Sequence, residues 1–472
     1  MTPAARLQTA ITLLQTVETT PRPADAVITR FFRERRYIGS KDRAALAERV
    51  YGVLRSHARL GWWLERLAEA PEARAQALAY GRLVEGLTPE TLEGLCSGGQ
   101  FAPASLTGAE KRWLKALEGH TLDHPAMPEA VRLECPPWAE PALRAGLGEG
   151  FAREMRALME PAPLDIRINP LRSDREKVLA ALKDAGIAAV PGTLSPLALR
   201  LRGRPALLAL ALHREGHIAI QDEGSQLVGL LVQAAPGQTV LDFCAGACGK
   251  TLVLAACMEN RGKIFACDVL EGRLKRGGER LRQAGVYNVE AHPLRNEHDP
   301  WLKRHKKRFD RVLVDAPCSG TGTWRRNPDA RWRPLGPGLE TLLPLQASIL
   351  ASAARLVRPG GRLIYATCSL LLEENEEQIA AFLAAHPDFT QLSCMDLWPQ
   401  TGLGAAPFAG PGMRLTPARQ GTDGFFAAVL ERRGEAEPPE KVHPAHKPIL
   451  AATTGVHEPT PAAGAREEPG RL

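Results

Sequence analysis

Two cysteines and one aspartate stand out by residue type and setting. Cys318 lies in the run Asp315-Ala-Pro-Cys318-Ser-Gly-Thr-Gly, and Cys368 lies in Thr367-Cys368-Ser369. Each run follows an apolar stretch that reads as a strand, Phe309 to Asp315 and Gly361 to Ala366. A lone cysteine after a strand is best read as a core residue, because free cysteine is among the most buried types. Two cysteines at strand ends, with an acid beside one of them, form a chemical set instead. They offer a thiolate nucleophile, a second thiol and a carboxyl group.

A second set precedes them. Asp242-Phe-Cys-Ala-Gly-Ala-Cys-Gly-Lys250-Thr251 follows the strand Thr239 to Phe243, and Asp268 closes the next strand, Lys263 to Cys267. Small residues in such a loop admit a ligand close to the backbone, and the following helix points amide groups at negative charge. An acid ending the second strand suits both hydroxyls of a ribose. Loop and acid together predict a nucleoside ligand. Gly249-Lys250-Thr251 matches the end of a phosphate-binding P-loop, but that motif needs a glycine where Cys244 stands, and no G-x-G-x-x-G dinucleotide fingerprint occurs at this turn.

A thiolate, an acid and a releasing group beside a nucleoside site suit one reaction in particular. Carbon 5 of cytosine is a poor nucleophile. A thiolate adding to carbon 6 makes carbon 5 enamine-like, so that it can accept a methyl group, and an acid near the ring nitrogen stabilises the addition. Loss of the carbon 5 proton then expels the thiolate.

These residues need a frame. From 226 to 432 strands and helices alternate, with helices at Glu271 to Ala284 and Thr341 to Val357, which predicts a parallel sheet covered on both faces. Ligands of such sheets bind at the carboxyl ends of the strands. Residues 1–150 show helical periodicity, starting with an amphipathic segment from Met1 to Leu14. Pro136-Pro137 and Pro161-Ala-Pro163 bracket a change to a small α/β module over 160–225, with strands at Leu164 to Ile168 and Ala198 to Arg202 and a helix at Glu176 to Ala185. From 434 to 472 the composition turns to Glu, Pro, Ala, Gly and Lys, which predicts a disordered tail.

The motifs resemble the RNA 5-methylcytosine methyltransferases of the Sun/Fmu (RsmB/NOP) ribosomal RNA group. Asp242 to Thr251, Asp315 to Gly322 and Tyr365-Ala-Thr-Cys-Ser carry the resemblance. Arg36-Tyr-Ile-Gly-Ser-Lys-Asp-Arg43 with Val50-Tyr-Gly-Val-Leu-Arg55, Gln221-Asp-Glu-Gly-Ser-Gln226 and Asp423-Gly-Phe-Phe-Ala427 extend it over most of the chain. The resemblance implies a multidomain protein: an all-α amino-terminal domain similar to the antitermination factor NusB, a small RRM-like α/β module, and a Rossmann-like methyltransferase domain that uses S-adenosyl-L-methionine. It implies Cys368 as nucleophile, Cys318 as the aid to product release and Asp315 as the contact to cytosine and cofactor. Cys244, Ala245, Gly246, Ala247, Cys248, Gly249 and Lys250 would hold the cofactor with Asp268 on its ribose, and Arg273 and Asn296 complete the set.

The chain departs from the family loop Pro-Gly-Gly-Lys at Ala247 and Cys248. Loss of proline loosens the loop, and the side chain at 248 intrudes where backbone should approach the ligand, so weaker cofactor binding is expected. Rival readings are a methyltransferase acting on an amine, against which the absent Asn/Asp-Pro-Pro-Tyr motif speaks, one acting on transfer RNA, and a non-enzymatic RNA-binding or ribosome-assembly protein.

The 472 residues are 44% hydrophobic and 24% charged, ordinary for a globular protein with a sizeable core, and the net charge is +7. A basic chain suits an acidic partner such as RNA. Arg30 to Arg43 mixes arginine with aromatics; it is either an RNA contact or a helix with aromatics inward and arginines outward. Lys303 to Arg308 is a basic run, and Arg325-Arg326 and Arg331-Trp332-Arg333 follow the Asp315 motif, where they are expected to grip RNA beside a flipped, single-stranded cytosine. Nine cysteines with no signal peptide and no membrane-length apolar run predict reduced thiols in the cytoplasm. The spacing of Cys244, Cys248, Cys257 and Cys267 fits no common zinc pattern, so no metal is expected. Nothing suggests assembly, and a monomer is expected.

Overall fold

The computed structural model describes residues 1–434; the tail expected from 434 onward lies almost wholly outside the described residues. Ten helices precede the first strand. The first, Pro3–Thr19, starts where the Thr2 side chain accepts from Ala5 N and proline fills the first turn. Leu7, Ala10, Ile11, Leu14 and Val17 then form its buried stripe. The amino-terminal core runs from Leu7 to Met127. Leu133 to Leu158 belong to a different core, packed on Trp324, Leu370 and Leu371. A boundary at 150 therefore falls inside this connecting cluster, because its helices bury their apolar faces against the loops that carry the two cysteines.

The small module has strands β1 (Leu164–Ile168), β2 (Ala189–Pro191), β3 (Ala198–Leu201) and β4 (Ile218–Ile220). They form an antiparallel sheet in the order β2-β3-β1-β4, with the helix Arg175–Asp184 between β1 and β2.

The large sheet contains β5 (Thr239–Asp242), β6 (Lys263–Asp268), β7 (Val289–Pro293), β8 (Phe309–Asp315), β9 (Val357–Thr367), β10 (Phe389–Leu392), β11 (Met413–Leu415) and β12 (Phe425–Arg432). Its order is β10-β12-β9-β8-β5-β6-β7, with β11 beside β12. The strands β9, β8, β5, β6 and β7 run parallel, and β12 returns antiparallel to β9. Nearly every residue of β5 and β6 is buried, as expected for strands covered on both faces. The chain leaves β5 towards β6 and β7, then crosses to β8 on the other side. The crevice between the ends of β5 and β8 is thus a topological switch point, where ligands of such sheets bind. No helix among the described residues is long and apolar enough to cross a membrane.

Candidate active site

A cavity of about 680 Å³ opens at the switch point, within the size range of small-molecule sites. Its lining includes Cys244, Ala245, Gly246, Ala247, Gly249, Lys250, Asp268, Arg273, Asp315, Cys318 and Cys368. The sheet therefore brings to one place residues spread over 125 positions of sequence.

The loop after β5 is held from several sides. Ala245 N donates to Cys267 O at 2.8 Å and Cys248 N to Ala245 O at 2.8 Å. Arg280 Nη1 donates to Ala247 O at 2.8 Å, and Arg167 Nη1, from β1, to Gly249 O at 3.0 Å. In the loop that lacks the family's proline, two guanidiniums thus hold the carbonyls on either side of Cys248. Burial pulls the pKa of Arg167 down to about 9 and also lowers that of Arg280.

Cys248 corrects a further expectation. It adopts φ +60°, the left-handed conformation that favours glycine, and its side chain is fully buried away from the cavity. The sulfur sits against Gly277 of the helix Glu271–Gln283. Cys248 thus supports the loop from behind and does not obstruct the ligand. Asn296 is also displaced from its expected place. Its Oδ1 accepts from His298 N at 2.9 Å and its carbonyl from Asp299 N at 3.2 Å, so it shapes a turn, and Glu297 lines the cavity in its stead.

Asp268 accepts Gly246 N on Oδ2 at 2.8 Å and Leu270 N on Oδ1 at 2.7 Å. Each oxygen retains a lone pair for a further donor. Asp242 was not singled out in the sequence, although it heads the loop. Thr251 Oγ1 donates to its Oδ2 at 2.7 Å, while Oδ1 is buried without a partner. Burial pushes this carboxyl up to about 7. Asp242 is among the residues that line the cavity, with this second oxygen enclosed.

At the other end of the cavity, Lys250 Nζ reaches Asp315 Oδ2 at 2.6 Å. Burial disfavours the ammonium, but the charge and hydrogen bond of Asp315 outweigh it and raise the Lys250 pKa. Cys318 Sγ and Cys368 Sγ stand 3.5 Å apart, within hydrogen-bond reach. Their contact, followed by burial, pushes the Cys318 thiol well up. All nine cysteines are free, and Cys244, Cys248, Cys257 and Cys267 are raised by burial, as expected of thiols in loop and core settings.

The arginines after the Asp315 motif all have partners within the chain. Arg325 Nε pairs with Asp423 Oδ1 at 2.7 Å, and Arg326 bridges Asp423 and Asp222, reaching Asp222 Oδ2 at 2.7 Å. Arg331 is buried and donates to the carbonyls of Glu134, at 3.0 Å, and Leu158. Arg333 binds Asp329 at 2.8 Å and the carbonyls of Thr20 and Arg22, and Trp332 packs on His57. They tie regions of the chain together through internal ion pairs and carbonyl contacts. The run Lys303 to Arg308 stays largely exposed. In the Arg30 to Arg43 stretch Phe31 and Phe32 pack on the core, Arg35 lies over Phe31, and Tyr37 is 81% exposed.

Residues 230–431 match the family described as 16S rRNA methyltransferase RsmB/F, and residues 135–207 match the ferredoxin-like domain of RsmF/B-like methyltransferases. The ribosomal RNA small subunit methyltransferase B of Sodalis glossinidius is 32% identical over 412 residues, covering 84% of this chain and 92% of that protein. A probable ribosomal RNA small subunit methyltransferase B of Synechocystis is 30% identical over 450 residues, covering 90% and 99%. Among solved structures, PH0851 superposes with a TM-score of 0.76 at 26% identity, over 92% of this chain and 99% of that one. A methyltransferase homologue from Pyrococcus horikoshii gives 0.54 at 27% identity, over 66% and 100%. With its motifs gathered on one cavity and its relatives matched almost end to end, the chain belongs to the RsmB/F family of 16S rRNA methyltransferases.

Proposed function

We propose that this chain methylates carbon 5 of a cytosine in ribosomal RNA, with Cys368 as the attacking thiolate. The observation that carries the reading is the pair of thiols 3.5 Å apart at the ends of β8 and β9, opening on the same cavity as the Lys250–Asp315 pair.

S-adenosylmethionine is the cofactor, and the cavity suits it. Asp268 presents acceptor capacity to ribose hydroxyls. When bound, the cofactor supplies an electrophilic methyl group. The chain's own residues do the rest. The Cys368 thiolate adds to carbon 6, and the electron pair of the 5,6 double bond shifts to make carbon 5 nucleophilic. Asp315 would face the ring nitrogen, and the proton that stabilises the adduct would come from the Lys250 ammonium paired with that carboxylate. After methylation the carbon 5 proton leaves to water, its electron pair re-forms the double bond and expels Cys368 as thiolate, and the Cys318 thiol 3.5 Å away aids release by hydrogen-bonding the departing sulfur.

The substrate class follows the names of the relatives, which act on small-subunit ribosomal RNA. A cytosine must leave its stack to reach two thiols at the rim of a cavity, so single-stranded or loop RNA is the expected form. The basic stretch Arg30 to Arg43 of the helical amino-terminal region, with exposed Tyr37 among its arginines, is the surface assigned to RNA docking.

The test is adduct trapping. Full-length protein, S-adenosylmethionine and RNA carrying 5-fluorocytosine should give a covalent complex. Cys368→Ala should not trap, and Cys318→Ala should accumulate adduct on ordinary RNA. Trapping by Cys368→Ala but not by Cys318→Ala reverses the roles of the thiols.

A further inference from the structure

Two thiols 3.5 Å apart cannot both carry a negative charge at neutral pH. Something must decide which one does. Directly beneath them lie two consecutive, fully buried residues, Glu374 and Asn375. Glu374 Oε1 accepts Ser319 N at 2.8 Å and Gln346 Nε2 at 3.0 Å, and its Oε2 accepts the Ser319 hydroxyl. The carboxylate thus grips the residue that follows Cys318. Asn375 Oδ1 accepts Thr367 Oγ1 at 2.6 Å and its Nδ2 donates to Ser369 O at 2.9 Å. The amide thus grips the residues on both sides of Cys368. One dipeptide fixes both turns and sets the distance between the sulfurs.

The charges around the pair are unequal. A buried anion, Glu374, is anchored on the Cys318 turn. The buried ammonium of Lys250, fixed by Asp315 at 2.6 Å, lies within reach of the Cys368 charge. Two further titratable groups are close: Tyr365 spends its hydroxyl on Glu374 O at 2.7 Å, and the Cys244 thiol, on the same cavity, is pushed well up by burial. The geometry points to Glu374 as a positioning residue that keeps the proton on Cys318 and leaves the negative charge of the pair to Cys368. Its meaning for catalysis rests on the reading of Cys368 as the nucleophile. The raised pKa of Cys318 agrees: after the Cys368 contact and burial, the charges of Cys368 and Glu374 both push it up.

The test is competitive alkylation of the folded, full-length protein by limiting iodoacetamide from neutral to alkaline pH, with peptide mass spectrometry giving the Cys318:Cys368 labelling ratio. In the wild type the label should fall first on Cys368. Glu374→Gln keeps an oxygen for Ser319 N but loses the charge. It should move the ratio towards Cys318 by on the order of tenfold, and Glu374→Asp should return it towards the wild type. An unchanged ratio in folded Glu374→Gln overturns the assignment, as does wild-type label falling first on Cys318. Should Glu374→Gln fail to fold, the wild-type partition decides alone. The assay uses neither RNA nor cofactor, so it separates two failures. A charge-dependent partition in a protein that never traps RNA rejects the methylation reading and keeps this one. Normal trapping with an indifferent partition does the reverse.

Discussion

Cys248 and Gly277 share one space: a Cβ on Gly277 would stand 2.4 Å from the Cys248 sulfur. The family's glycine has become a cysteine on the loop, and the facing helix offers no side chain at the point of contact. Gly277→Ala should therefore destabilise the protein by about 1–3 kcal/mol through overpacking. Adding Cys248→Gly should recover most of that loss. Urea denaturation of the single and double variants gives the cycle, and strictly additive effects would refute the pairing.

Asp268 should govern cofactor affinity. Asp268→Ala removes the acceptor for Gly246 and Leu270 and the oxygens assigned to ribose. S-adenosylhomocysteine should bind at least about tenfold more weakly by calorimetry. Affinity equal to the wild type would remove Asp268 from the site.

Asp242 should make stability fall as pH rises. Its folded pKa, about 7, lies above the ordinary carboxylate value of 3.8. Between these values the folded state holds a proton that the unfolded chain has lost. The cost of ionising the buried acid accumulates through this window and levels off above about 7. Asp242→Asn should thus be more stable than the wild type at pH 8, by roughly 1–3 kcal/mol, with the gain vanishing towards pH 4. Equal differences in denaturation free energy at the two extremes would contradict this.

Asp423 holds both Arg325 and Arg326, and it and Arg325 are almost fully buried. Asp423→Ala leaves buried guanidiniums short of a partner and should cost about 3–5 kcal/mol. Pairing it with Arg326→Met should soften the loss. A change within the range of an exposed substitution, measured by denaturant titration, would show that the cluster is not a structural tie.

Local signals in the sequence carried much of this architecture. The strand read over Phe309 to Asp315 coincides with β8, and the helix read over Glu271 to Ala284 ends at Gln283. Alternating strands and helices put Asp268, Asp315, Cys318 and Cys368 at strand ends, because parallel topology leaves those ends little choice. What stayed hidden depends on distant partners. The direction of Cys248 is set by Gly277, on another element. Arg325 and Arg333 find acceptors 98 and 311 residues away, so a basic loop that reads as an RNA grip is consumed internally. The side chain of Asn296 accepts from His298 N within its own turn, and the neighbouring Glu297 lines the cavity. Glu374 and Asn375 lay in an acidic run whose burial nothing in its polarity announced.

Arg333 stands fifteen residues beyond Cys318 on one continuous loop, anchored at its far end to the carbonyls of Thr20 and Arg22. A catalytic domain excised near residue 226 would retain both thiols, yet lose Ile220, Gln221 and Ser225 from the cavity wall and strand the guanidiniums that now end on the amino-terminal helices and on Glu134 and Leu158. The two ends of the molecule are therefore not an engine with a detachable handle. They are joined through the loop that also carries Cys318.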